Sequence, residues 1–260
     1  MNVQLEQYKN QYPSIFADRP IETATNRYTF VSTEKLLNNF LDLGMTIDSI
    51  KTPKVRKTNA EYAKHLIRLN INDSSLQKIN DIAPQLLIIN SHNRMTGLTM
   101  QLGCFRYVCS NGLIVADTNF GKFYQKHMNL DIEGAANIIQ LAVKEFKIVF
   151  DKIDTYKNIM LIDGQQKEFA NRALTMIYNE NAGRYEVDNF LTVKRTEDEQ
   201  PSLFNIYNRV QEHYMKGGAI YITTKGHKTA KAINSIDRDV KSNIILWSLM
   251  VEYYNQLRSK

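Results

Sequence analysis

Leu98-Thr99-Met100-Gln101-Leu102-Gly103-Cys104-Phe105-Arg106-Tyr107-Val108-Cys109-Ser110-Asn111-Gly112-Leu113-Ile114-Val115 sets the fold class. Leu98, Met100, Leu102 and Cys104 alternate with Thr99 and Gln101. Alternation of period two is the pattern of a strand with one buried face. After Gly103 the apolar phase passes to Phe105, Tyr107 and Cys109, a change that a bulge or tight bend at Gly103 would explain. Asn111 and Gly112 both tolerate positive φ, so they read as a hairpin turn with 113–115 as the return strand.

Upstream, residues 64–71 alternate as well. His65, Ile67, Leu69 and Ile71 share one face, and Lys64 and Arg68 lie on the other. Residues 86–89 form the continuous apolar run of a central strand, and 91–97 are a polar loop with Arg94 at its tip. Ser32-Thr33-Glu34-Lys35 is a capping start for a helix through about Leu43, and residues 1–30 read as an irregular arm.

Downstream, Ile132, Ala135, Ile139, Ala142, Phe146, Val149 and Ile153 trace one stripe of a long helix over 131–153. Further helices are expected over 165–178, 203–215 and 229–257, with Gly217-Gly218 as a stop and a short strand at 219–223. Strands are segregated from helices, which predicts an α+β fold. It comprises an antiparallel β-meander of four to five strands packed against a long helix, with a helical C-terminal half. The expected division is an arm at 1–30, an α+β core at 31–160 and a helical region packed on it at 161–260.

The chain has 260 residues, 43% hydrophobic and 23% charged, which is ordinary for a folded globular protein. Two cysteines, Cys104 and Cys109, cannot build a disulfide framework, so a reducing, cytoplasmic compartment is expected. The N-terminal MNVQLEQYKNQYPSIF has no apolar core of a signal peptide, and the longest apolar stretch, 244–251, is too short for a bilayer.

Charge gives the functional lead. Lys and Arg total 33 against 27 Asp and Glu, a net +6, which suits a polyanionic partner. Between 51 and 70 stand six Lys or Arg (Lys51, Lys54, Arg56, Lys57, Lys64, Arg68) and one acid, Glu61. Such a cluster can track a phosphate backbone. Arg94 could reach a phosphate from its loop tip. Arg106 stands beside Tyr107 on one strand, facing either solvent or an acid. Phe120-Gly121-Lys122-Phe123-Tyr124-Gln125-Lys126-His127 interleaves rings and cations in the manner of a base-stacking surface. The candidate nucleic-acid contacts are therefore Lys54, Arg56, Lys57, Lys64, Arg68, Arg94, Arg106, Lys122, Phe123 and Lys126.

No cofactor or metal is expected. Cys104 and Cys109 fall on opposite strand faces, and the five histidines contain no His-x-x-x-His pair. Glu145-Phe146-Lys147 matches the Glu-x-Lys of metal-dependent nucleases but falls inside the long helix, where that motif does not operate. No phosphate-binding loop or nucleophile elbow is present.

The stretch Leu102 to Leu113 resembles the signature of a phage and plasmid protein family, domain of unknown function 932. Asn90-Ser91-His92, Asn208-Arg209-Val210-Gln211-Glu212 with Gly217-Gly218, and Ile236-Asp237 through Leu246-Trp247 are similar to that family too. The resemblance spans roughly residues 25–250. It implies a mobile-element context and no particular chemistry. The order of a leading helix, a meander and one long helix is also analogous to single-strand annealing proteins, in element order alone.

The expectation is a non-catalytic nucleic-acid-binding protein of phage or plasmid DNA metabolism, binding or annealing single-stranded DNA in the host cytoplasm. Trp247 and its apolar neighbours would be core or a homo-oligomer interface. The alternative is a mobile-element protein that binds and inhibits a host defence system, using exposed loops such as 179–201. A virion or structural role stands third.

Overall fold

The computed structural model describes residues 3–24, 28–53, 57–76, 82–106, 111–114 and 131–259, with the side chains of 3, 4, 57–59, 111 and 113 outside the description. The chain divides into two compact units. The first comprises Met1–Ile79, Ala83–Cys104 and Thr118–Lys147, and the second Asn80–Ile82, Phe105–Asp117 and Ile148–Lys260.

The first unit opens with α1 (Val3–Glu6) and a 3-10 turn at Pro13–Ile15. Leu5 and Ile15 are fully buried, so the segment read as an irregular arm supplies core side chains. Helix α2 (Thr33–Asp42) begins where its capping sequence places it. Ser32 Oγ accepts a hydrogen bond from the Lys35 amide at 3.3 Å, satisfying a donor that the first turn leaves open. Leu36, Leu37 and Phe40 form its buried stripe, and Gly44, at φ 86, ends it in the left-handed region.

β1 (Thr46–Lys51), β2 (His65–Asn70), β3 (Ile82–Asn90), β4 (Thr99–Arg106) and β5 (Asn111–Ile114) form one sheet in that order. The α+β class and the meander are as expected. β1 pairs antiparallel with β2 through a bulge between Ile47 and Ser49, and β2 pairs antiparallel with β3 without interruption.

Three local expectations need correction. β2 is covered on both faces: Leu66 and Arg68 are buried along with His65, Ile67 and Leu69. β4 runs through Gly103 in one phase, so that Arg106 follows Met100, Leu102 and Cys104 into the interior and Phe105 is the partly exposed residue. Asn111 and Gly112 belong to β5 instead of a turn, and the connection from β4 falls on 107–110, outside the described residues.

Helix α3 (Ile132–Lys157) is the long helix. Its stripe is Ala135, Ala142, Phe146, Val149 and Ile153, all sealed from solvent, while Ile132 stands outside. Asp131 Oδ1 accepts from the Gly134 amide at 2.9 Å and caps its start.

The second unit is built around α6 (Leu203–Met215), which contacts α4 (Asp163–Tyr178), α5 (Val187–Leu191) and α7 (Ile236–Arg258). Every α6 residue from Leu203 to Tyr214 is buried. Trp247 is fully buried and meets Tyr156 and Tyr207 edge-on at 6.4 and 6.3 Å, so the apolar face of α7 fills this unit's own core. Between α6 and α7 stands a two-stranded ribbon, β6 (Ile220–Thr223) and β7 (Gly226–Thr229). Helix α7 therefore starts later than the 229 expected, at Ile236, where Ser235 Oγ accepts from the Arg238 amide at 3.4 Å. Among the described residues no helix is long and apolar enough to cross a membrane.

Candidate nucleic-acid interface

β1 is an edge strand of the sheet. Lys51, its last residue, lies opposite Leu66, so Lys51 and Lys64 come to the same end of the edge. Both are partly exposed. The connection between them contains Lys54, Arg56 and Lys57, with Glu61 as its one acid. Lys54 and Arg56 lie outside the described residues. Lys57 opens the 3-10 helix Lys57–Tyr62, and its side chain is not described. Of this cationic segment, the structure places Lys51 and Lys64 at one end of the β1–β2 pair.

Arg94 belongs to another part of the first unit. It sits at φ 68 at the tip of the 91–97 loop, exposed beside Met95, which is 81% accessible. The loop is closed by Ser91, whose hydroxyl accepts from the Thr96 amide at 3.0 Å and donates to the Thr96 carbonyl at 2.9 Å. Lys122, Phe123 and Lys126 lie outside the described residues.

Arg68 and Arg106 leave the surface set. Arg68 is 8% exposed, flanked by β1 and β3, and its Nη1 reaches Gln85 Oε1 at 3.5 Å. Arg106 is 2% exposed and pairs with Asp198 in the second unit. Both are interior cations, so a single stripe running from the arm across the sheet does not form. Cys104 is buried, and burial pushes its thiol up, the setting of an inert cysteine.

The first unit also holds a sealed polar cluster. Thr33 Oγ1 lies 2.9 Å from His65 Nε2 and 3.3 Å from His92 Nε2, and it accepts from Asn90 Nδ2 at 3.0 Å. His65 Nδ1 lies 3.1 Å from both Ser14 Oγ and the Ala63 carbonyl. Burial first, and then His92 nearby, lowers His65 to about 3, and burial lowers His92 to about 4. Both rings are neutral at physiological pH, and the cluster ties α2, β2 and the N-terminal segment together. Among the described residues no three His, Cys, Asp or Glu side chains are grouped to hold a metal ion.

β6 is the short strand expected at 219–223, whereas β7, and with it the β6–β7 ribbon, is what sequence reading missed. From His213 to Ile236 the chain contains no acidic residue and four lysines, Lys216, Lys225, Lys228 and Lys231, all exposed. At the root, Lys216 and Arg195 both reach the buried Glu212 carboxylate, at 3.7 and 2.9 Å. Lys194 stands close by, and a Cβ on Gly218 would meet its Nζ at 3.8 Å. Burial would raise Glu212, but Arg195, Lys216 and Lys194 together hold it below its ordinary value. Burial, and then repulsion from Lys216 and Arg195, lowers Lys194, with Glu212 opposing. Three cations thus share one carboxylate where the ribbon begins. The absence of Asp and Glu over 213–236 was a signal that a whole-chain charge count could not show.

A family model described as a domain of unknown function, DUF932, matches residues 20–247. Two curated proteins of Escherichia coli (strain K12), UPF0380 protein YfjQ and UPF0380 protein YafZ, are each 30% identical to this chain over 252 residues, covering 95% of it and 89% of their own length. No solved structure matches.

Proposed function

We propose that this chain, which belongs to the DUF932 family, is a non-catalytic nucleic-acid-binding protein of phage or plasmid DNA metabolism that holds single-stranded DNA and brings strands together. We place it in the host cytoplasm. The observation that supports this reading is that Lys51, at the end of the edge strand β1, and Lys64, just before the neighbouring β2, bracket a stretch of sequence that carries Lys54, Arg56 and Lys57. Five Lys or Arg against one acid over 51–64 make that edge attractive to a phosphate backbone, and each phosphate neutralised releases counterions. Arg94, on an exposed loop of the same unit, is a second point of contact in this reading.

Anisotropy titration of labelled single- and double-stranded oligonucleotides at two salt concentrations tests it. The expected result is single-strand affinity that falls with salt by a slope of about −0.7 for each phosphate contact. Absence of binding to either probe at low salt sinks the reading. That outcome favours the runner-up, an inhibitor of a host defence system that binds a protein partner and needs no polyanion.

A further inference from the structure

We infer that the β6–β7 ribbon is an arm that enters the groove of duplex DNA, with Lys225 and Lys231 on the flanking phosphates and the Ile220–Ile222 face against the groove. This rests on the nucleic-acid reading above, and it assigns a separate site on the second unit and a strand form.

The geometry of the ribbon is fixed at its root. The Gly218 amide donates to the Ala230 carbonyl at 3.0 Å, and the Ala230 amide to the Ala219 carbonyl at 2.8 Å. Gly217, at φ 76, passes so close to the returning chain that a Cβ there would lie 2.5 Å from the Ala230 carbonyl oxygen. Gly226, at φ 102, takes the left-handed position after the tip.

Directly opposite residues of an antiparallel pair face the same side. Tyr221 pairs with Lys228, while Ile220 pairs with Thr229 and Ile222 with His227. Tyr221 is occupied by Tyr185, to which it is bridged and whose ring is 5.3 Å away. The opposite face is open, with Ile220 37% and Ile222 48% exposed and His227 and Thr229 exposed beside them. Lys225 is at the tip, and Lys231 follows β7. Neither of these two lysines has a carboxylate within ion-pair distance among the described residues.

Four residues per strand span about 13 Å. A two-stranded ribbon of this kind fits the major groove of B-form DNA, about 12 Å wide and 8.5 Å deep. A-form RNA presents a groove too narrow to enter. A single strand would need an aromatic stacking platform, and the ribbon's one tyrosine is taken by Tyr185. Lysines on an edge strand also discourage strand-to-strand aggregation, but either sign of charge serves that end. Here the sign is uniform over 213–236 and is extended by Lys194 and Arg195 at the root.

The test uses the full chain, with wild type, K225A/K231A and I222S titrated against a DNA duplex of about two helical turns and against one of its strands. All three positions are exposed, and far-UV circular dichroism checks that each variant folds. We expect the lysine variant to lose about tenfold or more in duplex affinity at low salt, with a salt slope shallower by about 2. I222S loses duplex affinity with its slope unchanged, and single-strand affinity moves by less than about twofold in both. A lysine variant whose duplex curve superimposes on that of a wild type that binds overturns the arm and leaves the proposed function standing. So does a wild type that binds only single strands, or a variant that loses both ligands equally. A wild type that binds neither probe defeats both readings.

Discussion

Nη1 of Arg106 donates to both carboxylate oxygens of Asp198, at 2.8 and 3.0 Å, and both side chains are almost completely sealed from water. The guanidinium also lies over the Phe204 ring at 6.0 Å. The Asp198 carbonyl accepts from Arg209 Nε at 2.9 Å. This pair joins the end of β4 to the turn before α6. Burial pushes the Asp198 carboxyl up, and Arg106 opposes that push.

Removing one partner strands the other charge in the interior. Arg106→Leu should cost about 3–5 kcal/mol in urea unfolding, whereas replacing both groups with apolar residues of similar volume should recover most of the loss. The folded fraction of Arg106→Leu should bind DNA as the wild type does, because Arg106 does not reach the surface.

The buried histidines predict a pH dependence. His65 and His92 have folded-state values of about 3 and about 4, against an ordinary 6.5. Between those values the unfolded chain binds protons that the folded chain does not, so stability must fall as pH falls through that window. At pH 5 the cost relative to neutral pH should be about 2 kcal/mol for each ring. Denaturant midpoints at pH 7 and pH 5 measure it, and the drop should shrink in His92→Asn.

Gly217 and Gly226 both have positive φ but stand in different surroundings. A Cβ at Gly217 meets three backbone atoms at 2.5 to 2.8 Å, while one at Gly226 meets nothing within 4 Å. Gly226→Ala should cost about 1 kcal/mol of conformational strain, and Gly217→Ala clearly more, read as the larger drop in melting temperature.

Much of the fold was legible because its signals are local. Ser32 capping α2, the stripe of α3 and the bounds of α6 follow from side chains that the chain places within one turn of each other. Strand exposure was not legible in the same way. Alternation reports burial on one face only, and β2 lies between two strands with both faces covered, so Arg68 went inside with Ile67 and Leu69. Arg106 followed its parity inward because an acid 92 positions away neutralises it, a partner that no local pattern can show. β1 went unread because Thr46-Ile47-Asp48-Ser49-Ile50-Lys51 alternates poorly and bulges at its centre.

Several of the residues behind the family resemblance proved to be interior ones. Asn90, Ser91 and His92 are buried, Asn208 Nδ2 donates to the Phe204 carbonyl at 2.7 Å, and Gln211 Nε2 donates to Asn243 Oδ1 at 2.6 Å. They report how the chain folds more than what it binds. The proposed site rests instead on lysines, of which Lys51 and Lys64 are partly exposed, whose positions a composition counts but does not place.

The most direct test compares wild type with K54A/R56A/K57A in single-strand binding across a salt series. Our account predicts weaker binding with a slope shallower by about 2, close to three phosphate contacts at about 0.7 each. Superimposable curves, with slope and affinity both unchanged, would contradict it.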